Sequence, residues 1–511
     1  MEPRPTAASV VDPDTAYRAL TARDARFDGH WFVGVTSTGI YCRPICRVRT
    51  PRRENCRFFE TPAQAEAAAF RPCLKCRPEL APGPGLPWSV MDGPRTLARQ
   101  AAQWLAAHAF DDADADRATG AASPAALARH LGISERHLRR IFATEHGVSP
   151  LQYLRTRRLL LAKQMLTDTE LPVAQVAHAS GFRSLRRFNA AFAESYHLSP
   201  SRLRCNAVPP ANEPAASALR ATLTFREPLA RDALLRFVAR RAIPGIETVD
   251  ADALRMRRTL RSGVLGGAHA AGWIEIAFVP GRARLRLQAS DSLAGATGRL
   301  LAAVRRWLDL DAEPLAIDAA LGELAQADAG LRLPGGVDAF ELGVRAVLGQ
   351  QVTVAAARTL AGRVVERFGT PLATPWSNLD RCFPAPDALA GAGVAALAEL
   401  GIIRSRAAAI AALAAAWQDI EVLLQPGAQA APLVERLQSV PGIGAWTAHY
   451  VAMRTLGWTD AFPPGDVAVL NALGLARGAR AEREAELRAQ AWRPWRSYAV
   501  LALWNSLEKR S

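Results

Sequence analysis

Seven cysteines occur in 511 residues, and four of them fall into two close pairs, Cys42 with Cys46 and Cys73 with Cys76. Four thiolates from two short loops can close a tetrahedron around zinc, the structural geometry this ion prefers. Arginines crowd the first pair in TGIYCRPICRVR: Arg43, Arg47, Arg49, Arg52 and Arg53 form a cluster suited to phosphate oxygens. A metal-held thiolate beside a bound phosphate is a nucleophile beside an electrophile when that phosphate carries an alkyl group. A second centre lies far down the chain, in SVPGIGAWTAHYVAMRTLGWTDAFPPGD. There Gly442 and Gly444 can expose backbone N–H groups at a helix N-terminus, where a DNA phosphate can sit without a cationic side chain. Asp466 follows as a lone carboxylate in a Pro/Gly-rich loop, where on its own it reads as a loop cap.

The elements that must hold these residues divide the chain into four expected domains. Residues 1–82 carry the cysteine pairs, need metal to supplement a small core, and end in the linker-like stretch PELAPGPGLP. Residues 92–205 form short helical patterns. Ser134 reads as the N-cap of a helix after a turn at Gly132, and the pattern returns around Gly181; these are two helix-turn-helix units, and NAVPPANEPAASA follows them. Residues 220–295 contain WIEIAFV and ARLRLQAS, which alternate at period two as half-buried strands do. Residues 296–511 are rich in Ala and Leu at helical spacing. The expected fold class is therefore multidomain: a small α+β zinc domain, an all-α double helix-turn-helix domain, a small β-rich α+β domain, and an all-α helix-hairpin-helix domain.

The net charge of +15 is carried mostly by arginine and lies mostly ahead of Cys205, which points to double-stranded nucleic acid as partner. No apolar run of transmembrane length and no leader pattern is present, so the expectation is a cytoplasmic protein with no membrane partner, its thiols reduced. Cys56, Cys205 and Cys382 have no clustered partners and read as small hydrophobes.

The segment from Phe32 to Leu80 resembles the amino-terminal domain of the Ada family, through TGIYCRPICRVR, the REN at Arg53 to Asn55, and FRPCLKCRP. That resemblance implies one zinc ion per chain on Cys42, Cys46, Cys73 and Cys76, with Cys42 the irreversible acceptor of a methyl group from a DNA methylphosphotriester. Arg43 and Arg47 are its expected phosphate contacts. The helical segment resembles the AraC-type regulator domain, with GFRSLRRFNAAF in its second unit. Arg136, Arg139, Arg183 and Arg187 are the expected DNA contacts, and a promoter operator and RNA polymerase the implied partners. The Pro-Cys-His-Arg motif that marks the methyltransferase domain ending the usual Ada architecture is absent.

The back half resembles the AlkA-type branch of the helix-hairpin-helix DNA glycosylase superfamily, from Leu223 to Ser506, through VRAVLGQQVTVAAAR, the hairpin, FPPGD and WRPWRSYAVLALW. The resemblance implies that Asp466 is the catalytic carboxylate, stabilising oxocarbenium character on the sugar and positioning water. Trp446 stands where lyase-type members carry lysine, which implies a monofunctional glycosylase that needs no cofactor. Trp446 and Trp504 match tryptophans near the family's base pocket, Tyr450 is a further candidate there, and cationic alkylated purines stack well on such rings; Trp273 matches only loosely. Gln351 stands where this branch places a leucine that wedges into the gap left by the flipped base. The expectation is a nucleoid-associated bacterial alkylation-response protein that excises alkylated purines of the 3-methyladenine type from double-stranded DNA and regulates transcription. The alternative is a glycosylase whose front half only anchors it to DNA.

Overall fold

Short strands and small helices cannot bury much on their own, and here they share cores. The computed structural model describes residues 12–24, 27–78, 81, 93–107, 123–168, 171–205, 218–266, 270–424 and 428–510. The stretches PELAPGPGLP and NAVPPANEPAASA lie outside these, apart from Pro78, Ala81 and Ala218. The chain forms two compact units: Met1–Glu227 with Ala294–Arg299, and Pro228–Leu293 with Leu300–Ser511.

In the first unit, β1 (Phe32–Val35), β2 (Ile40–Cys42), β3 (Cys56–Phe59) and β4 (Arg71–Pro72) form a sheet in the order β3-β1-β2-β4. β1 runs antiparallel to β2 and β3, with Val33 opposite Cys42, while β4 lies parallel to β2. The helix Pro62–Ala67 starts in a capping box between Thr61 and Gln64. Its Ala63 enters one core with Trp104, Leu127, Leu138, Phe142 and Tyr153, so the cysteine-bearing segment and the first helix-turn-helix pack together.

Both helix-turn-helix units follow the expected chemistry. Gly132 and Gly181 take φ of 66° and 84° at the turns, a backbone region that favours glycine. Ser134 and Ser184 cap the next helices, Glu135–His146 and Leu185–Tyr196, by accepting from the N–H of His137 and Arg187. Leu138, Ile141 and Phe142 on one, and Phe188, Phe192 and Tyr196 on the other, face inward. The 19-residue helix Pro150–Asp168 joins the two units, and β5 (Ala218–Thr224) receives a bond from its Gln164 Nε2 to the Thr222 carbonyl at 3.1 Å.

In the second unit, β6 (Glu247–Asp250), β7 (Arg255–Leu260), β8 (Gly272–Phe278) and β9 (Arg284–Ser290) form an antiparallel meander. Burial alternates along β8 as the period-two pattern requires. The meander is tied to the helix Ala339–Leu348 by buried charges. Arg258 bonds Glu247 at 2.9 Å and Glu341 at 2.7 Å, and Arg345 bonds the same two carboxylates at 3.0 and 2.7 Å. The helical body packs Phe340, Val344, Leu413, Trp417, Leu437, Ile443 and Val451 around the hairpin formed by Ala430–Gln438 and Ala445–Leu456. Cys56 and Cys382 are both buried, as small hydrophobes should be. Among the described residues no single helix is long and apolar enough to cross a membrane.

Asp309 gives this unit a pH signature. It takes φ 50° and accepts from Tyr498 Oη at 2.8 Å and the Leu333 N–H at 2.9 Å. Burial pushes its carboxyl up to about 6 from an ordinary 3.8. The folded state therefore holds its proton more tightly than the unfolded chain, so the contribution is full below about pH 4 and is lost as pH rises through 6. Asp309→Asn, which keeps an acceptor for both donors, should flatten that fall, and urea unfolding of the unit at pH 4.5 and 7 reads it.

Candidate metal centre and candidate active site

Strand pairing assembles the cysteines. Cys42 ends β2, Cys46 follows in the next turn, and Cys73 and Cys76 follow β4. The Cys73 N–H donates to the Tyr41 carbonyl at 2.9 Å, which sets the second pair beside the first. The four sulfurs all lie within 4.8 Å of one another. A tetrahedral zinc with Zn–S near 2.3 Å separates its sulfurs by about 3.8 Å, so the donor set fits that ion. Cys42, Cys46 and Cys73 are each about 5 % exposed or less, and their surroundings are Leu20, Trp31 and Val33. The hydrogen bond with Cys42 draws the Cys46 thiol down to about 7, while the bonds with Cys46, Cys73 and Cys76 drive Cys42 up.

The arginines around this centre divide in two. Arg47 and Arg52 are exposed. Arg43 is 5 % exposed: Nε bonds Asp28 at 2.7 Å, Nη2 bonds the same carboxylate, and Nη1 reaches the Cys76 carbonyl at 3.2 Å. Its guanidinium clamps the cysteine loop and is not presented to a phosphate, which corrects the expectation of a DNA contact. The reason is Asp28, fifteen residues upstream, whose pairing no local pattern discloses. Arg53 likewise bonds Asp14 at 3.0 Å and stands over Phe58. On the helix-turn-helix units Arg136, Arg139, Arg183 and Arg187 are all exposed, Arg139 with an ion pair to Glu135 one turn back.

In the second unit the turn Pro441–Gly444 leads into the helix Ala445–Leu456. Gly442 takes φ 85°, and a Cβ there would lie 2.6 Å from Ala409 Cβ, so both conformation and space require glycine. Gly444 stands at the helix N-cap with no side-chain cap, which leaves the first-turn N–H groups facing outward for an anion.

Asp466 caps the helix Val467–Ala472 and is 6 % exposed. Its Oδ1 accepts from the Val469 N–H at 2.8 Å and from Trp504 Nε1 at 3.2 Å, and its Oδ2 accepts from Trp446 Nε1 at 2.8 Å. The cap reading and the site reading of this aspartate thus coexist in one geometry. Trp446 stacks on Tyr450 with centroids 5.2 Å apart and planes 9° off parallel, and Trp504 lies 6.1 Å from Tyr450. Two partly buried indoles therefore flank the carboxylate, with Tyr450 stacked on Trp446. Burial raises the Tyr450 phenol, but Arg454 and its neighbours outweigh it and hold the group below its ordinary value. Arg454 Nη1 donates to the phenol oxygen at 2.6 Å. Trp273 packs edge-on against Trp376, in the sheet region.

Gln351 is exposed with φ 55°, just ahead of the helix Val354–Phe368. Sequence reasoning missed its neighbour. Gln350 Nε2 bonds the Gly442 carbonyl at 3.1 Å and Thr447 Oγ1 at 3.0 Å, pinning this loop to the hairpin.

Four family models match the chain: the metal binding domain of Ada over residues 15–79, a helix-turn-helix domain over 127–206, the AlkA N-terminal domain over 220–338, and the HhH-GPD superfamily base excision DNA repair protein over 344–497. The chain is 37 % identical over 508 residues to the probable bifunctional transcriptional activator/DNA repair enzyme AlkA of Mycobacterium tuberculosis, covering 97 % of both chains. DNA-3-methyladenine glycosylase 2 of Escherichia coli is 39 % identical over 288 residues, 55 % of this chain and 96 % of that one. The bifunctional transcriptional activator/DNA repair enzyme Ada of Escherichia coli is 30 % identical over 176 residues, 34 % of this chain and 44 % of the other.

Proposed function

The chain belongs to the family of bifunctional transcriptional activators and DNA repair enzymes of the AlkA type, and from that premise we propose how its two units divide the work. The second is a monofunctional glycosylase that hydrolyses the N-glycosidic bond of alkylated purines of the 3-methyladenine type in double-stranded DNA. The first is a stoichiometric methylphosphotriester acceptor joined to a transcription regulator. Residues 1–82, 92–205, 220–295 and 296–511 are the corresponding domains.

The observation that carries the glycosylase reading is Asp466, a nearly buried carboxylate with an indole N–H on each oxygen and Tyr450 stacked on the first of those indoles. The outward N–H groups after Gly444 take the DNA phosphate, and the flipped base stacks among Trp446, Tyr450 and Trp504. An alkylated purine is cationic and leaves as a neutral base, so the developing charge is on the sugar. Asp466 stabilises that charge and orients the attacking water. Trp446 occupies the position at which an amine would form an imine, so hydrolysis is the outcome.

In the first unit one zinc ion per chain would be held by Cys42, Cys46, Cys73 and Cys76, and when bound it keeps the thiols deprotonated near neutral pH. The Cys42 sulfur attacks the methyl carbon of the phosphotriester. A C–S bond forms, the C–O bond breaks, and the phosphodiester leaves as an anion. Arg47 supports this by holding phosphate oxygens. The exposed Arg136, Arg139, Arg183 and Arg187 follow successive major-groove faces of an operator, from which the protein contacts RNA polymerase.

Incubation of the purified protein with methylated duplex DNA tests both chemistries: free 3-methyladenine is expected in solution, and one added methyl group in the intact protein mass. Absence of both products would sink the reading. Nuclease footprinting on the protein's own promoter should show a bounded operator, and protection that is uniform and vanishes steeply with salt would leave only an anchor. At the wedge position, Gln351→Ala should slow single-turnover base release about tenfold, or about 1.4 kcal/mol of barrier. Gln351→Leu should match or exceed the parent.

A further inference from the structure

One face of the small sheet encloses a space beside the acceptor cysteine. Val33 and Val35 lie two apart on β1, and Val33 is paired across the ladder with Cys42, so the three side chains share a face. Leu20, from the helix Pro13–Ala22, joins Val33, Cys42 and Cys46 in one buried cluster, and Val48 packs against it. With Val35, Thr50 and Pro51 these residues line a cavity about the size of one water molecule. Cys73 and Cys76 take no part in its lining, so it is not the space among the four sulfurs. The segment that closes the cavity has two sides. Arg47, Arg49 and Arg52 are exposed, whereas Val48, Thr50 and Pro51 are half-buried and line it. Cationic groups suited to phosphate oxygens thus stand on the outside of the same few residues whose inner side is mostly apolar. Tyr17 Oη holds this segment by donating to the Pro51 carbonyl at 3.1 Å.

A water molecule in such a space would need about two to four polar partners, and the walls are mainly aliphatic. A methyl group needs none and is only slightly larger. We propose that this cavity is the alkyl pocket of the acceptor centre: it receives the methyl group that the Cys42 sulfur draws from the phosphotriester, and its walls exclude longer chains. The C–S bond forms, the C–O bond breaks and the phosphodiester keeps the electron pair; the pocket decides only which alkyl groups can meet the sulfur. An ethyl group brings one carbon more than the space holds, and one carbon in a close-fitting apolar pocket is worth about 10- to 200-fold in rate. Val48 is the residue that sets the limit, because it lies on the half-buried closing segment while Val33 and Val35 are built into the sheet.

This rests on the reading of Cys42 as a methyl acceptor, and one experiment separates the two. The full chain, loaded with zinc, is incubated with duplex DNA carrying either a methyl or an ethyl phosphotriester. Intact mass follows the uptake, elemental analysis the zinc content, and a melting curve the stability of each variant. Val48→Ala should raise the ethyl-to-methyl rate ratio about tenfold. Val48→Leu, which adds one carbon to the wall, should slow methyl uptake about tenfold while keeping the parent's zinc content and melting temperature. The added carbon enters space that exists, whereas in a filled site it would strain its neighbours and lower the melting temperature. Tyr17→Phe, which releases the same segment and leaves the lining unchanged, should melt lower with the parent's ratio. The proposal falls if Val48→Ala keeps the parent's ratio, if Val48→Leu melts below the parent, or if Tyr17→Phe shifts the ratio as far as Val48→Ala does. Any of these in a parent that still gains methyl leaves the acceptor reading standing. A parent that gains neither group removes that reading, and this proposal with it. Should Val48→Ala fail to fold, Val48→Leu decides by its uptake rate and melting temperature together.

Discussion

Asp466→Asn protein should bind methylated duplex DNA as the parent does and release base from it about 10³-fold more slowly, the scale on which removal of one preorganised charge-stabilising group lowers a rate. The substitution removes the charge and also the acceptor for Trp446, because the asparagine Nδ2 then faces that indole N–H, but it keeps the helix cap. An asparagine Oδ1 can still accept from the Val469 N–H, so the helix Val467–Ala472 keeps its cap. What disappears is the negative charge between the two indole donors of Trp446 and Trp504. Stacking of the flipped base on the rings does not need that charge, so affinity for the lesion should persist. Rapid-quench measurement of free base, beside a binding isotherm on the same duplex, separates the two effects. Equal rates for Asp466→Asn and parent would move the catalytic centre elsewhere in the second unit.

Cys42→Ala is the counterpart in the first unit, and its expected effect is complete: no methyl group added to the protein, however long the incubation. Base release should continue at the parental rate, since the glycosylase residues all lie in the other unit. In the parent, methylation converts a thiolate to a neutral thioether. DNA binding should then tighten roughly fivefold at low salt, from about 1 kcal/mol for one charge contact in a water-like dielectric. Cys42→Ala, which already lacks that charge, should bind unmethylated DNA with part of this gain. Intact-mass analysis and salt-dependent titrations of both proteins check each point.

The residues that carry these effects differ in how readable they are. Two cysteine pairs announce a metal site because ligand spacing is local, and PGIG announces a hairpin because a turn is local too. The serine caps and turn glycines of the two helix-turn-helix units belong to the same class. Arg43 is the opposite case: a cluster of arginines looks like a phosphate-binding surface until Asp28 is found to hold one of them in the interior. Gln350 was hidden beside its more conspicuous neighbour for a similar reason, its two partners lying more than 90 residues downstream. Asp466 was legible only through its motif, and its partnership with Trp504 follows from the packing of the last helix and not from any spacing. Buried polar pairing is decided by tertiary structure, so it is the part of a site that a chain read residue by residue conceals.

The four buried charges that tie the β6–β9 meander to the helix Ala339–Leu348 bear on how such a protein can be inherited. Glu247 and Arg258 come from the sheet, Glu341 and Arg345 from the helix, and each pairs across the seam. Loss of one half breaks both pairs that cross the seam, Arg258 with Glu341 and Arg345 with Glu247, and leaves the other half's buried arginine and glutamate with only each other as ion-pair partner. Sheet and helices can thus be transferred between genes only as a single cassette. The Escherichia coli glycosylase, nearly all of which aligns with 55 % of this chain, has the extent of that cassette.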